Sequence, residues 1–264
     1  MSFTKITYEV KGPVAVITLN DPATMNAAGL DTANDLLLAF EKAADDARAT
    51  ILTGNGRGFC SGANLTSAGP GGAPKSERKF DAGSALDSHY NPLIMAMKEH
   101  PHPIITAVNG AAAGVGCSIA LMGDLIVAAD SAYFMQAFRR IGLVPDGGST
   151  WLLPRLIGRA RAMEMMLLGE KVPASKALDW GLINQVVSSD ALMDTAMTMA
   201  TEMANGPTVS LAMIRELVWD SSERDLAEQM HYERVAQRTA GRTADFGEGV
   251  KAFLEKRPAE FKGE

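Results

Sequence analysis

Short apolar runs and longer stretches of helical periodicity alternate along the first half of this chain. Ile6–Val10 and Val14–Leu19 read as strands separated by Gly12-Pro13, which predicts a hairpin. Leu30–Ala47 carries Leu36, Leu37 and Phe40 on one side of a helical repeat. Ala49–Thr53, Pro103–Val108 and Leu125–Ala129 are nearly continuous apolar strands, the type that a sheet covered on both faces requires. From Trp151 onward the pattern turns helical. Arg159–Leu168, Ala174–Trp180, Asp190–Ala204, Thr208–Val218, Leu226–Arg238 and Thr243–Lys256 follow one another, with Gly169, Gly181, Gly206 and Gly241 as breaks. The expected class is α/β, with a buried sheet core to about Asp146 and helices after it. No internal repeat or low-complexity tract interrupts the pattern.

Composition narrows the function classes. The chain has 264 residues, 47% of them hydrophobic and 21% charged, with a net charge of −6. An acidic balance without a Lys/Arg cluster argues against nucleic acid as a partner. No apolar run approaches the ~20 residues that span a bilayer, so no membrane association is expected. The N-terminus lacks the charged and apolar regions of a signal peptide, and a reducing cytoplasm is the expected compartment. Cys60 and Cys117 have neither CxxC spacing nor a nearby His, so no metal site and no disulfide framework is expected; they read as small buried hydrophobes.

Three glycine-rich turns carry the candidate chemistry. The stretch Asn109-Gly110-Ala111-Ala112-Ala113-Gly114-Val115-Gly116 follows a strand and opens a short helix. N–H groups in a first helical turn have no intrahelical partner and stabilise a nearby oxyanion. The turn Gly56–Ala63 follows strand Ala49–Thr53 and is expected to lead into a helix in the same way. Two such turns converging on one carbonyl oxygen would form an oxyanion hole. The third, Ile141-Gly142-Leu143-Val144-Pro145-Asp146-Gly147-Gly148, places a carboxylate before a helical stretch. Asp146 reads either as a helix cap or as an acid–base group; its joint occurrence with the two turns favours the latter. Gly114-x-Gly116 followed by Asp130 imitates a dinucleotide fingerprint, but Ile119 stands where the third glycine belongs. Ala68–Pro74 reads as a loop, either a solvated connection or a flap over a ligand.

These three motifs together resemble the crotonase superfamily, also called enoyl-CoA hydratase/isomerase. The likeness extends to the ending Phe253-Leu254-Glu255-Lys256-Arg257-Pro258 and so covers nearly the whole chain. It implies an α/β, crotonase-like spiral of ββα turns with a helical C-terminal trimerisation region: residues 1–200 as the acyl-CoA-binding core and 201–264 as the helical part. It also implies an acyl-CoA thioester substrate, coenzyme A entering only as part of that substrate, no further cofactor, and a homotrimer or a hexamer built as a dimer of trimers. By position, the oxyanion donors are the backbone N–H groups of Ala63 and Val115. The CoA moiety is expected along Asn26, Ala27, Asn64 and Leu65, with Lys256 and Arg257 towards its phosphates. Tyr90, Asn91, Phe138 and Ile141 are expected around the acyl group, with Phe134 and Val144 as further wall candidates. His89 lies in the same segment as Tyr90.

The departures from the family pattern are informative. Hydratases of the superfamily carry two glutamates where this chain has Ser118 and Phe138. Neither side chain serves as an acid or base at neutral pH, which argues against simple hydration. Asn91 and Phe138 also replace the His and Trp of a haloaromatic dehalogenase, which argues against that chemistry. Asp146 matches the working aspartate of several isomerases. The nearest resemblance is to the ring 1,2-epoxyphenylacetyl-CoA isomerase group, through Tyr90-Asn91-Pro92-Leu93, Trp151-Leu152-Leu153-Pro154-Arg155 and Gly241-Arg242-Thr243-Ala244-Asp245-Phe246. The expected activity is acyl-CoA isomerisation with Asp146 as base. A hydratase with relocated acid–base groups and a non-catalytic CoA-thioester-binding protein are the alternatives.

Overall fold

The computed structural model describes residues 2–64 and 81–264. Leu65 and the loop Ala68–Pro74 lie outside the described residues. Two sheets build the core. The larger has the order β1-β2-β3-β5-β7-β10, with strands β1 (Ile6–Lys11), β2 (Val14–Leu19), β3 (Ala49–Gly54), β5 (Ile104–Val108), β7 (Leu125–Ala129) and β10 (Gln185–Val187). Only β1 runs antiparallel; the hairpin at Gly12-Pro13 pairs Ile6 with Leu19 and Lys11 with Val14. The other neighbours are parallel. Every residue of β5 is buried, as a parallel strand covered on both faces must be.

The smaller sheet orders β4 (Gly58–Cys60), β6 (Ala111–Ala113), β8 (Tyr133–Met135) and β9 (Val172–Pro173). Its first three strands each follow a long strand of the larger sheet, so the chain repeats long strand, short strand and connection. That repeat is the crotonase-like spiral. These three-residue strands carry too few alternating positions to be read as strands from sequence. Both glycine turns therefore lead into a second sheet before anything helical. After Gly56-Arg57 comes β4, and after Asn109-Gly110 comes β6.

Helix α1 (Leu30–Asp46) buries Ala33, Leu36, Ala39, Phe40 and Ala43, a single helical stripe, and packs on β1, β2 and α2 (Asn91–Glu99). Helices α3 (Val115–Ala120), α4 (Ser149–Leu168) and α5 (Ala174–Asp179) follow. Helix α4 starts ten residues before the expected Arg159. Gly158, at φ 74°, kinks it, and Pro154 lies inside it, so two helical pieces join where the sequence shows a break. Helix α6 (Leu192–Ala204) lies against β2, β3, β5 and β7. Helices α7 (Thr208–Asp220), α8 (Leu226–Ala240) and α9 (Ala244–Glu255) complete the chain. No described helix is long and apolar enough to cross a membrane.

A buried arginine fastens the helical end to the core. Arg215 of α7 is 7% exposed and donates to Asp124 Oδ2 at 2.6 Å, to Met97 O at 3.1 Å and to His100 O. Asp124 also accepts the Ile104 N–H that begins β5. His100 sits beneath this cluster, hydrogen-bonded to Thr50, and burial pushes its imidazole down to about 3. It is a neutral core residue. An Arg215→Met substitution leaves Asp124 without its guanidinium, and it is expected to lower stability by about 3 kcal/mol. Urea unfolding measures this; an unchanged midpoint would mean that the cluster fastens nothing.

Candidate active site

Two strand ends of the small sheet set the site. Strand β4 pairs with β6, and β6 pairs with β8, so that Ala113 faces Met135. Just past those ends lie Gly62, at φ 105°, and Gly114, at φ 54°. A side chain on Gly62 would meet the Ala113 carbonyl oxygen at 3.0 Å, and one on Gly114 would lie 3.7 Å from Gly62 Cα. The two glycines thus stand backbone to backbone, in conformations that other residues adopt only under strain.

This places the next amide of each chain in the same neighbourhood. Ala28 donates to Gly62 O at 2.8 Å and accepts from Asn64 N at 3.2 Å. Because Ala28 takes both flanking groups, the N–H of Ala63 points away from that ladder. Val115 is the first residue of α3, where an N–H has no intrahelical acceptor. Neither amide has a backbone acceptor among the described residues. Two free N–H groups at adjoining chain turns suit an oxygen that gains negative charge.

The carboxylate arrives from the turn before α4. Gly147, at φ 57°, presses against α3: a side chain there would meet Ser118 Cβ at 2.7 Å and Val115 Cγ2 at 3.5 Å. Asp146 is therefore held one residue from the contact with Val115. It does not cap α4. Gly148 occupies the cap position and no side chain makes a cap hydrogen bond there. Asp146 Oδ1 is buried and has no hydrogen-bond partner among the described residues. Burial, with no compensating partner, pushes its carboxyl up to about 6. Desolvation is the cause of that rise.

Ser118, fully buried, donates its hydroxyl to the Asp146 carbonyl at 2.9 Å. Phe138 is 6% exposed, and its ring edge lies 3.9 Å from the Cβ position of Gly114. Tyr90 is buried and donates its hydroxyl to Ala28 O at 2.6 Å. Burial pushes its phenol up to about 12, with Cys60 and Asp146 near enough to add to the effect. Tyr90 thus supports the strand segment that orients Ala63 while it flanks the carboxylate. Asn91 is exposed at the start of α2, and Ile141 is 51% exposed. Of the wall candidates, Phe134 is fully buried and Val144 is 79% exposed.

The remaining predicted residues are placed as follows. Asn26 is buried; its amide donates to Asn55 O and Gly58 O, and its oxygen accepts from Asp21 N–H. Its side chain thus braces the entry to β4, and Ala27 is half-buried beside it. Asn64 continues the Ala28 ladder through its backbone. Lys256 ends α9 at φ 54°. Arg257 forms a two-pronged pair with Glu248 at 2.6 and 2.9 Å and a further pair with Glu255 at 2.7 Å. One feature carried no sequence signal. A cavity of about 240 Å³ lies behind the turn, lined by Ile94, Met122, Gly148, Trp151, Leu152 and Trp219. Its walls come from four separate segments, and Trp219 stacks on Trp151 with ring centroids 6.0 Å apart.

The Asp146 environment gives a pH-dependent stability. A carboxyl raised to about 6 holds its proton more tightly in the folded chain than in the unfolded one. Stability is then lost as pH rises from about 4 through 6, and the cost is complete above that window. Asp146→Asn, which does not titrate, is expected to raise the thermal midpoint more at pH 8 than at pH 4. Equal shifts at both pH values would contradict a dry, unpaired carboxylate.

Comparison with known proteins identifies the family and the fold. The chain is 42% identical over 259 residues to the 1,2-epoxyphenylacetyl-CoA isomerase of Escherichia coli, covering 96% of this chain and 97% of that one. It is 43% identical over 263 residues to a Rhodobacter capsulatus protein named "Probable enoyl-CoA hydratase", covering 100% of both. The solved structure of an enoyl-CoA hydratase from Bacillus anthracis superposes with a TM-score of 0.91 at 29% identity, covering 99% of this chain and 100% of that one. Residues 9–264 match the sequence profile of the enoyl-CoA hydratase/isomerase family, and the chain belongs to that family.

Proposed function

We propose that this protein is an acyl-CoA isomerase that shifts a double bond or rearranges an unsaturated or ring-derived acyl chain. The thioester oxygen takes the N–H groups of Ala63 and Val115. Asp146 removes a proton from one carbon of the acyl group, and the electron pair moves into the thioester as an enolate. The same carboxyl then returns the proton to a different carbon. The observation that carries this reading is the buried, partnerless Oδ1 of Asp146 beside a turn packed on Val115. Hydration needs a second group to hand a proton to water or to position it, and Ser118 and Phe138 offer none at neutral pH. Asn26 and Arg257 spend their side chains within the chain, so the CoA moiety is read by backbone at Ala27 and Asn64, with Lys256 as the charge nearest the end of α9. The superfamily resemblance favours a trimer or hexamer.

Proton NMR of a panel of CoA esters in deuterated water tests this reading. Isomerisation gives a migrated double bond carrying solvent deuterium; a hydratase gives a 3-hydroxy product, the reading that the Rhodobacter capsulatus relative's name favours; a binding protein gives neither. Asp146→Asn is expected to lower kcat by about 10²–10⁴-fold, the usual contribution of a general base. Because the base must be ionised, kcat/KM is expected to rise with pH through about 6, the value to which burial pushes Asp146. A midpoint near 4, or full activity in the Asn variant, would remove Asp146 from the mechanism.

A further inference from the structure

Behind Asp146 three uncharged, buried side chains form a chain of hydrogen bonds from separate segments. Gln136 follows β8, Ser149 opens α4, and Ser118 lies in α3; all three are fully buried. Gln136 Nε2 lies 3.0 Å from Ser149 Oγ, Ser149 Oγ lies 2.6 Å from Ser118 Oγ, and Ser118 Oγ lies 2.9 Å from the Asp146 carbonyl. The far end fixes the direction of every proton. A carbonyl only accepts, so Ser118 donates to Asp146. Ser149 must then donate to Ser118, and Gln136 must donate to Ser149. Each hydroxyl gives once and receives once, with Gly114 O at 3.5 Å as a second, longer acceptor for Ser118.

We propose that Gln136, Ser149 and Ser118 form a one-way hydrogen-bond relay that sets the position of the Asp146 carboxylate while giving its oxygens no donor. The proposal rests on the reading of Asp146 as the acid–base group. Two features separate it from ordinary core packing. Gln136 Oε1 is buried without a partner, so the relay is not the arrangement that stability alone would favour. The relay also stops at the main chain of residue 146 and leaves Oδ1 bare. It fixes the turn by its backbone, where a donor aimed at the carboxylate would fix it at the expense of basicity. Gly147 seals the arrangement, because a Cβ there would meet Ser118 Cβ at 2.7 Å. Ser118, Ser149 and Gln136 are positioning residues; none touches the reacting atoms.

The test uses the full-length chain as wild type, Ser149→Ala, Ser118→Ala and Gln136→Leu, each checked for folding by circular dichroism and thermal melting. Carbon-13 NMR of aspartate-labelled protein follows the Asp146 carboxyl, assigned with Asp146→Asn. Loss of the relay frees the turn to reach solvent, so the Asp146 titration midpoint in each folded variant is expected to fall towards the ordinary value near 4. Midpoints unchanged from wild type in the folded variants overturn the proposal. A second measurement uses whichever CoA ester the wild type turns over. There kcat is expected to fall about 10–100-fold, the scale of a displaced catalytic group, with KM held within about twofold. Ser149→Ala is expected to add nothing in an Asp146→Asn background, because both act through one group. A loss that is additive, or that falls on KM, indicates a packing role and refutes the relay. If no CoA ester is turned over, the isomerase reading fails while the titration still decides the relay.

Discussion

Gly62 and Gly114 meet where two strands of the small sheet end, and a Cβ on Gly62 would crowd the Ala113 carbonyl oxygen at 3.0 Å. Everything that the site can do depends on that contact. The parallel pairing of β4 with β6 delivers both chains to the same place, and the positive φ of each glycine turns the following amide out of its own hydrogen-bonding ladder. Ala28 then satisfies both neighbours of Ala63 and leaves the amide of Ala63 itself unused. The free N–H groups are thus a product of sheet register, and side chains contribute only indirectly. Tyr90 is one such contribution, since its hydroxyl binds the carbonyl of Ala28.

The carboxylate obeys a different constraint. A free carboxyl just before α4 would be expected to feel the helix dipole and to ionise more readily. Gly148, and not Asp146, occupies the cap, so the side chain is released from the helix end, and its buried Oδ1 has no donor among the described residues. Burial then governs, and the carboxyl rises to about 6. A base of that strength is ionised at neutral pH and still binds a proton well enough to return it. The same geometry that makes the amides electrophilic partners for an oxygen therefore sits beside a group suited to moving protons.

Much of this was legible in the sequence, for identifiable reasons. The long strands β2, β3, β5 and β7 are apolar runs, and their pattern survives because both of their faces are covered. The glycine turns and Asp146 were visible because close backbone approach and positive φ demand particular residues. The small sheet was not visible: Gly58–Cys60 and Ala111–Ala113 are too short and too rich in small residues to show a period. The early start of α4 was hidden for a different reason, since Pro154 and the kink at Gly158 divide it into two helical pieces. Asn26 and Arg257 illustrate a third limit. A residue type suited to a ligand says nothing about whether its hydrogen bonds are already taken, and in both cases they are.

Position 118 shows why the missing acid is more than an omission. Ser118 is fully buried, and its hydroxyl lies between Ser149 and the Asp146 carbonyl. An ionised carboxylate there would add a second negative charge beside residue 146, and like charges raise each other's proton affinity. A carboxylate is also purely an acceptor, so it could not donate to the Asp146 carbonyl, and the turn would lose its anchor. Ser118 and a singly acting Asp146 are therefore mutually consistent: the hydroxyl that replaces an acid is what allows the remaining one to be held by its backbone and left free at its carboxyl.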